Sequence, residues 1–306
     1  MSERPINLTA FASLKGGVGK STLAVTHARG LAAASPEARP VVLDLDWTGT
    51  SLADGLTLEA PEVAVDDRGR LRFDEVPASF LPIEEQRQRR VRRRDTGEQT
   101  WLPYLNDWFL GTEGRGDPRT FAWRGRGPMA DSVLYFPSSA LFRDVGRAVG
   151  LIKSDAHLLR WRANLATVMA TLADFEPWGV TDIIFDLPPG LLGFTEAALL
   201  QVEEVAKAKR LGQRPIGNAT TWIVSTPDRN AGLATVEFHW TARRLFYLAK
   251  IMVNRVEEGS PGAQVLAEAW LQEAGYSHPV AVSTFGELRA LSQGFRIGYL
   301  PPMVVR

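Results

Sequence analysis

The chain has 306 residues, with 35 Lys and Arg balanced by 35 Asp and Glu, and no cysteine. Zero net charge argues against a globally basic nucleic-acid binder, and the lack of thiols removes disulfides, cysteine nucleophiles and cysteine-held zinc or iron–sulfur sites. No apolar run reaches the roughly 18 residues of a membrane-spanning helix, and the N-terminus has no apolar signal core, so a cytoplasmic protein is expected.

Residues 6–13 form an apolar run that leads into Ser13-Leu14-Lys15-Gly16-Gly17-Val18-Gly19-Lys20-Ser21-Thr22. An alanine-rich helical pattern follows over 23–34. Strand, glycine loop and helix together are the context in which a glycine-rich turn binds phosphate. The glycines let backbone N–H groups curl around an anion, and the helix N-terminus adds partial positive charge. Gly16, Gly17, Val18, Gly19, Lys20, Ser21 and Thr22 are therefore the candidate nucleotide-binding residues, with Lys20 reaching the β/γ-phosphates and the Ser21 hydroxyl on Mg²⁺.

Pro36 and Pro40 break the chain, and 41–46 reads as a short buried strand ending in Asp44-Leu45-Asp46. Two residues apart in a strand, their carboxylates share a face. Burying them unpaired would be costly, which marks them as functional. From about 57 to 130 the periodicity lapses. The stretch is too long for an ordinary connection and too rich in aromatics, Trp101, Trp108 and Trp123 among them, for a disordered linker. It is expected to be an inserted subdomain or lid within one domain spanning 1–306.

Regular alternation resumes with a strand at 132–136, helices at 141–152 and 156–175, and a strand at 181–186. It continues through a helix at 194–209, a strand at 220–225, a helix at 230–248, a strand at 250–254, a helix at 261–274 and a strand at 280–284. This order predicts an α/β fold, a mostly parallel sheet with helices on both faces. Ligands in such sheets collect at the carboxyl ends of the strands. One strand there ends in Asp186-Leu187-Pro188-Pro189-Gly190, which fits a carboxylate holding the Mg²⁺ sphere through water. Another ends in Asn254-Arg255, where an amide offers both donor and acceptor.

The usual loop pattern G-x-x-x-x-G-K-[ST] would put its first glycine at position 14, where this chain has Leu14, and the loop carries a second lysine, Lys15. This form resembles the deviant P-loop of the MinD/ParA family of ATPases. Residues 44–51 resemble the family's D-x-D-P-Q-G-N segment, with Trp47 in place of the proline. Residues 186–190 look like its D-x-P-[PA]-G switch, and Thr226-Pro227-Asp228 like its T-x-P-[ED] turn.

The resemblance covers residues 6–56 and about 132–300. It implies a P-loop NTPase that binds ATP and Mg²⁺, dimerises across the nucleotide and hydrolyses it as a switch, positioning or partitioning DNA or a protein cargo with an activating partner. By that resemblance Lys15 reaches the partner subunit's nucleotide and Asp44 orients the attacking water. Asp46, Gly49, Thr50 and Gly190 belong to the switch segments, Asp186 attends the metal, and Asn254 with Arg255 reads adenine.

The C-terminal stretch shows no amphipathic helical period, so no membrane-targeting tail is expected. Iron–sulfur relatives with the same loop are excluded by the missing cysteines. The four histidines, His27, His157, His239 and His278, lack metal-ligand spacing.

Six arginines, Arg87, Arg89, Arg90, Arg92, Arg93 and Arg94, form a possible DNA contact, with Trp101 and Trp108 near enough in sequence to stack on bases. A solvated helix paired with local acids explains the same run. The alternatives left open are a partner-regulated ATPase of a plasmid, defence or secretion system that does not bind DNA, and an ATP-dependent metabolic enzyme on the same fold.

Overall fold

In the computed structural model the described residues are 4–49, 51–64, 72–73, 77, 79–82, 90–92, 99–139, 141–191, 193–243, 249–256, 261–276 and 282–286. The first strand, β1 (Ile6–Ser13), enters the glycine loop, and α1 (Lys20–Ala34) leaves it. Next come β2 (Pro40–Asp44) and the short α2 (Leu52–Gly55). The stretch without clear periodicity contains β3 (Leu58–Pro61), β4 (Phe80–Pro82), β5 (Arg90–Arg92), β6 (Gln99–Trp101), α3 (Leu105–Gly111) and β7 (Trp123–Gly125).

After it the order is β8 (Leu134–Phe136), α4 (Phe142–Ile152), α5 (Asp155–Asp174), β9 (Asp182–Pro189) and α6 (Phe194–Ala208). The chain continues through β10 (Arg210–Leu211), β11 (Arg214–Ser225), α7 (Arg229–Arg243), β12 (Ala249–Val256), α8 (Ala263–Glu273) and β13 (Val282–Gly286).

The strands line up as β13-β12-β11-β1-β9-β2-β8-β7-β3-β4, with β10 paired to β11. Every pairing along this line from β13 to β8 is parallel, and β7, β3 and β4 continue it antiparallel. The sheet is thus mostly parallel with helices on both faces, as the alternation predicts. β1 shows the period-2 logic of a strand buried on both sides. Its Ile6, Leu8, Ala10 and Ala12 join the core under α5 and α6, and Phe11 joins the core under α1.

The 57–130 stretch is bound into these same cores. Trp108, Phe109 and Phe121 pack with Trp161 and Leu165 of α5, while Leu58, Ala60, Leu102, Tyr104 and Trp123 pack with α1. Trp108 is fully buried and stacks on Phe121 at 5.3 Å, so it is not available to a nucleic-acid base. The returning limb is tied to α1 by Arg29, whose Nε donates to Asp131 at 2.7 Å and whose Nη2 donates to the Pro128 carbonyl at 2.9 Å.

Three boundaries differ from the sequence reading. β2 stops at Asp44, so Asp46 lies beyond the strand and the shared-face argument for the two acids does not hold. β11 begins at Arg214, because its polar first half pairs with both β10 and β1. Arg90 and Arg92 lie in a strand paired with β6 and not in a helix. Arg87, Arg89, Arg93, Arg94, Thr50 and the C-terminal stretch 287–306 lie outside the described residues.

Candidate nucleotide site

The parallel run brings the carboxyl ends of β1, β9, β2, β8, β11 and β12 to one edge of the sheet, and the glycine loop sits at its middle. Gly17 and Gly19 hold φ of 75° and 92°, a left-handed backbone that glycine adopts without strain. Gly19 is doubly constrained, since a Cβ there would come within 2.4 Å of Asn254 Nδ2. That amide nitrogen donates to the Val18 carbonyl at 2.7 Å. The loop is further fixed by Ser13, whose Oγ donates to the Lys15 carbonyl at 2.6 Å, and by Gly190, whose N–H donates to the Ser13 carbonyl at 2.8 Å.

α1 starts at Lys20 with no side-chain cap and no acid in its first turn. A helix N-terminus leaves backbone N–H groups without intrahelical partners, and such groups suit an anion. Lys15, Gly16 and Gly17 are exposed on the loop, whereas Lys20 is buried. Ser21 and Thr22 are half-buried on the first turn of α1.

Asp186 of β9 lies directly opposite Phe11 of β1 and Asp44 of β2. Burial pushes its carboxyl up to about 6; the Lys20 charge and a hydrogen bond from Ser21 pull it down, and the Asp46 charge pushes it up. Its Oδ1 is buried with no hydrogen-bond partner. A buried, unpaired carboxylate oxygen beside a hydroxyl and an ammonium group suits Mg²⁺ and its water shell. Among the described residues no group of three or more His, Asp and Glu could hold a metal ion by itself.

Asp44 has a different environment. It is fully buried, and its Oδ2 accepts from Leu52 N–H at 2.9 Å, from Ser138 N–H at 3.0 Å and from Ser138 Oγ at 2.8 Å. Its Oδ1 accepts from Asp46 N–H at 3.2 Å. Burial holds the carboxyl well above the usual range, with Asp186 adding to the effect and the Leu52 hydrogen bond opposing it. All four donors come from the loop 46–52 and the end of β8. These bonds tie Asp44 to Asp46, Leu52 and Ser138.

Asp46 lies half-buried at the turn, where its Oδ1 accepts from Thr48 N–H and Oγ1 at 3.3 and 3.2 Å. Gly49 is packed so closely that a Cβ would meet Asp46 Oδ2 at 2.4 Å. Gly190 takes φ 96° at the turn after β9, and Arg255 follows Asn254 on β12.

The family model for ParA, described as NUBPL iron-transfer P-loop NTPase, matches residues 6–80. A ParA family ATPase from Chlorobium tepidum superposes with a TM-score of 0.57 at 14% identity, covering 96% of this chain and 90% of that one. McdA from Cyanothece in complex with ATP gives 0.54 at 14%, covering 97% and 89%. MinD from Aquifex aeolicus in complex with MinC gives 0.54 at 14%, covering 96% and 87%. No curated protein matches the chain.

The fold is that of the ParA/MinD-type P-loop NTPases.

In this ParA/MinD-like chain the iron-transfer part of the family description has no cysteine thiolate to act through. Two features of the site were not evident from sequence. Ser138, one of two adjacent serines after β8, carries no signal until the sheet places it on Asp44. Trp47 is visible as a departure from the D-x-D-P-Q-G-N pattern, but its partners are scattered along the chain. Among the described residues no helix is long and apolar enough to cross a membrane.

Proposed function

We propose that the chain is a Mg-ATP-dependent switch of the ParA/MinD type, which dimerises on ATP, hydrolyses it slowly and thereby holds and releases a DNA or protein cargo. The observation that carries this reading is the unpaired, buried Oδ1 of Asp186 beside Ser21 and Lys20, beneath an uncapped helix N-terminus. Ser21 would hold Mg²⁺ directly and Asp186 through water. The bound ion supplies charge neutralisation at the β- and γ-phosphates. Phosphoryl transfer of this kind depends on positioning and electrostatics more than on covalent chemistry.

The loop N–H groups and Lys20 bind the phosphates, and exposed Lys15 extends toward a second subunit's nucleotide. Asp44 fixes the 46–52 loop, which leaves Asp46 as the carboxylate at this strand end to orient the attacking water. Asn254, held against Val18, shapes the phosphate loop, and with Arg255 it forms the adenine end of the site. An activating partner protein fits a switch of this design; the MinC:MinD neighbour was itself solved with a partner.

Two substitutions test the reading. Lys20→Ala abolishes ATP binding in a calorimetric titration. Lys15→Ala retains binding but loses hydrolysis and the ATP-dependent dimer seen by sedimentation; wild-type turnover in that variant refutes a lysine acting in trans. DNA as cargo is tested by binding to non-specific duplex at two salt concentrations, with and without the six arginines of 87–94. ATP-independent or absent binding favours a protein cargo.

A further inference from the structure

Trp47 stands immediately after Asp46, and it is fully buried. Its ring lies 5.2 Å from Phe109, 5.7 Å from Trp161 and 5.4 Å from Phe194. The surrounding rings also touch one another, with Phe109 5.3 Å and Phe194 4.9 Å from Trp161. These partners come from three separate elements. Phe109 belongs to α3 of the 57–130 stretch, Trp161 to α5, and Phe194 is the first residue of α6.

Phe194 opens α6 directly after Gly193. Thr195 Oγ1 donates to the Pro188 carbonyl at 2.9 Å, which binds the start of α6 to the end of β9. Gly193 takes φ 72°, and a Cβ there would meet Ile152 Cγ2 at 2.8 Å. The indole nitrogens of Trp47 and Trp161 are both buried with no hydrogen-bond partner.

We propose that Trp47 is a positioning residue that yokes the segment after Asp46 to the start of α6 and to the inserted helix α3, so that the nucleotide state is transmitted to the insertion. The proposal rests on the nucleotide-switch reading of the site. Close-packed interiors do not deform continuously; they shift between discrete arrangements. One peptide bond separates the indole-bearing residue from Asp46. A displacement of that segment toward a γ-phosphate therefore displaces Phe194, Phe109 or both, and a disturbance of α3 returns to Asp46 by the same contacts.

The test compares full-length wild type, Trp47→Ala, Trp47→Phe and Leu172→Ala, the last removing a buried α5 side chain outside the aromatic cage. ATP affinity, kcat and amide hydrogen exchange in α3 with and without Mg-ATP are measured on each. Trp47→Ala lowers kcat by about 10- to 100-fold, as expected for a misplaced reacting group, while its ATP Kd stays near wild type. Trp47→Phe restores most of the turnover. ATP-induced protection of α3 is present in wild type and in Leu172→Ala and is lost in Trp47→Ala. Should Trp47→Ala fail to fold, Phe109→Leu carries the same comparison from the α3 side.

A loss of kcat no larger than in Leu172→Ala, or α3 protection that survives in Trp47→Ala, overturns the yoke and leaves the nucleotide reading intact. Wild-type protein that does not bind ATP overturns both.

Discussion

Asp186→Asn is expected to make the nucleotide-free protein more stable at neutral pH while abolishing its turnover. The folded-state carboxyl is pushed up to about 6 from its ordinary 3.8, chiefly because it is buried. A displacement of that size corresponds to about 3 kcal/mol, at 1.36 kcal/mol for each pH unit. The sign follows from proton linkage. Between about pH 4 and 6 the folded state holds a proton that the unfolded chain has released, so this group's contribution to stability falls as pH rises through that window.

Above pH 6 the folded protein carries the full cost of a buried charge, and an amide removes it. Denaturant unfolding in EDTA without nucleotide is the assay. At pH 7.5 the variant should be more stable by about 3 kcal/mol, the linkage value just given. The advantage should shrink steadily and vanish near pH 4. An advantage that does not vary with pH, or a less stable variant at pH 7.5, refutes the argument that a buried charge is held here for ligand binding.

Three further outcomes are expected. His27 of α1 is held down at about 4 by burial, with Asp182 opposing, so it contributes stability above pH 6.5 that is lost as pH falls toward 4; His27→Gln should flatten the acid limb of stability against pH in the same unfolding assay. Gly19→Ala, which forces a Cβ into the Asn254 amide at positive φ, should weaken ATP binding by at least tenfold, and combining it with Asn254→Ala should relieve part of that loss, read by titration calorimetry. Arg29→Met leaves Asp131 without its nearly buried ion-pair partner and should cost about 3 kcal/mol in urea unfolding; a change below about 1 kcal/mol, the range of surface pairs, would mean the pair is effectively solvated.

The phosphate loop was legible because its chemistry is local: glycines, lysine and hydroxyl lie within ten residues, flanked by the strand and helix that orient them. Asp186 was equally clear from an apolar strand ending in an acid. Asp44 was singled out, but its contact with Ser138 was not, because Ser138 lies 94 residues away and is brought close only by the pairing of β2 with β8. Asp46 was misplaced on the strand because apolar alternation does not show where a strand yields to a turn.

Asn254 was expected to face adenine, and nothing along the chain reports its approach to Gly19. Residues 58–125 gave no periodic pattern because their described strands are only three or four residues long. Their aromatics nevertheless argued against a disordered linker, and Trp108 and Trp123 are buried.

The position of the 57–130 stretch between β2 and β8 has a consequence for how the protein forms. β2 and β8 are adjacent in the sheet, yet the whole stretch must be threaded out and back before they can pair. Loop closure over such a distance is entropically slow, and non-local strand pairing retards folding. The Asp44–Ser138 contact waits on this closure across 94 residues. The glycine loop waits on longer ones, since Gly190 donates to Ser13 and Asn254 donates to Val18, 236 residues away in the chain. Its final geometry is therefore a late product of folding, and the Asp44–Ser138 contact an earlier one.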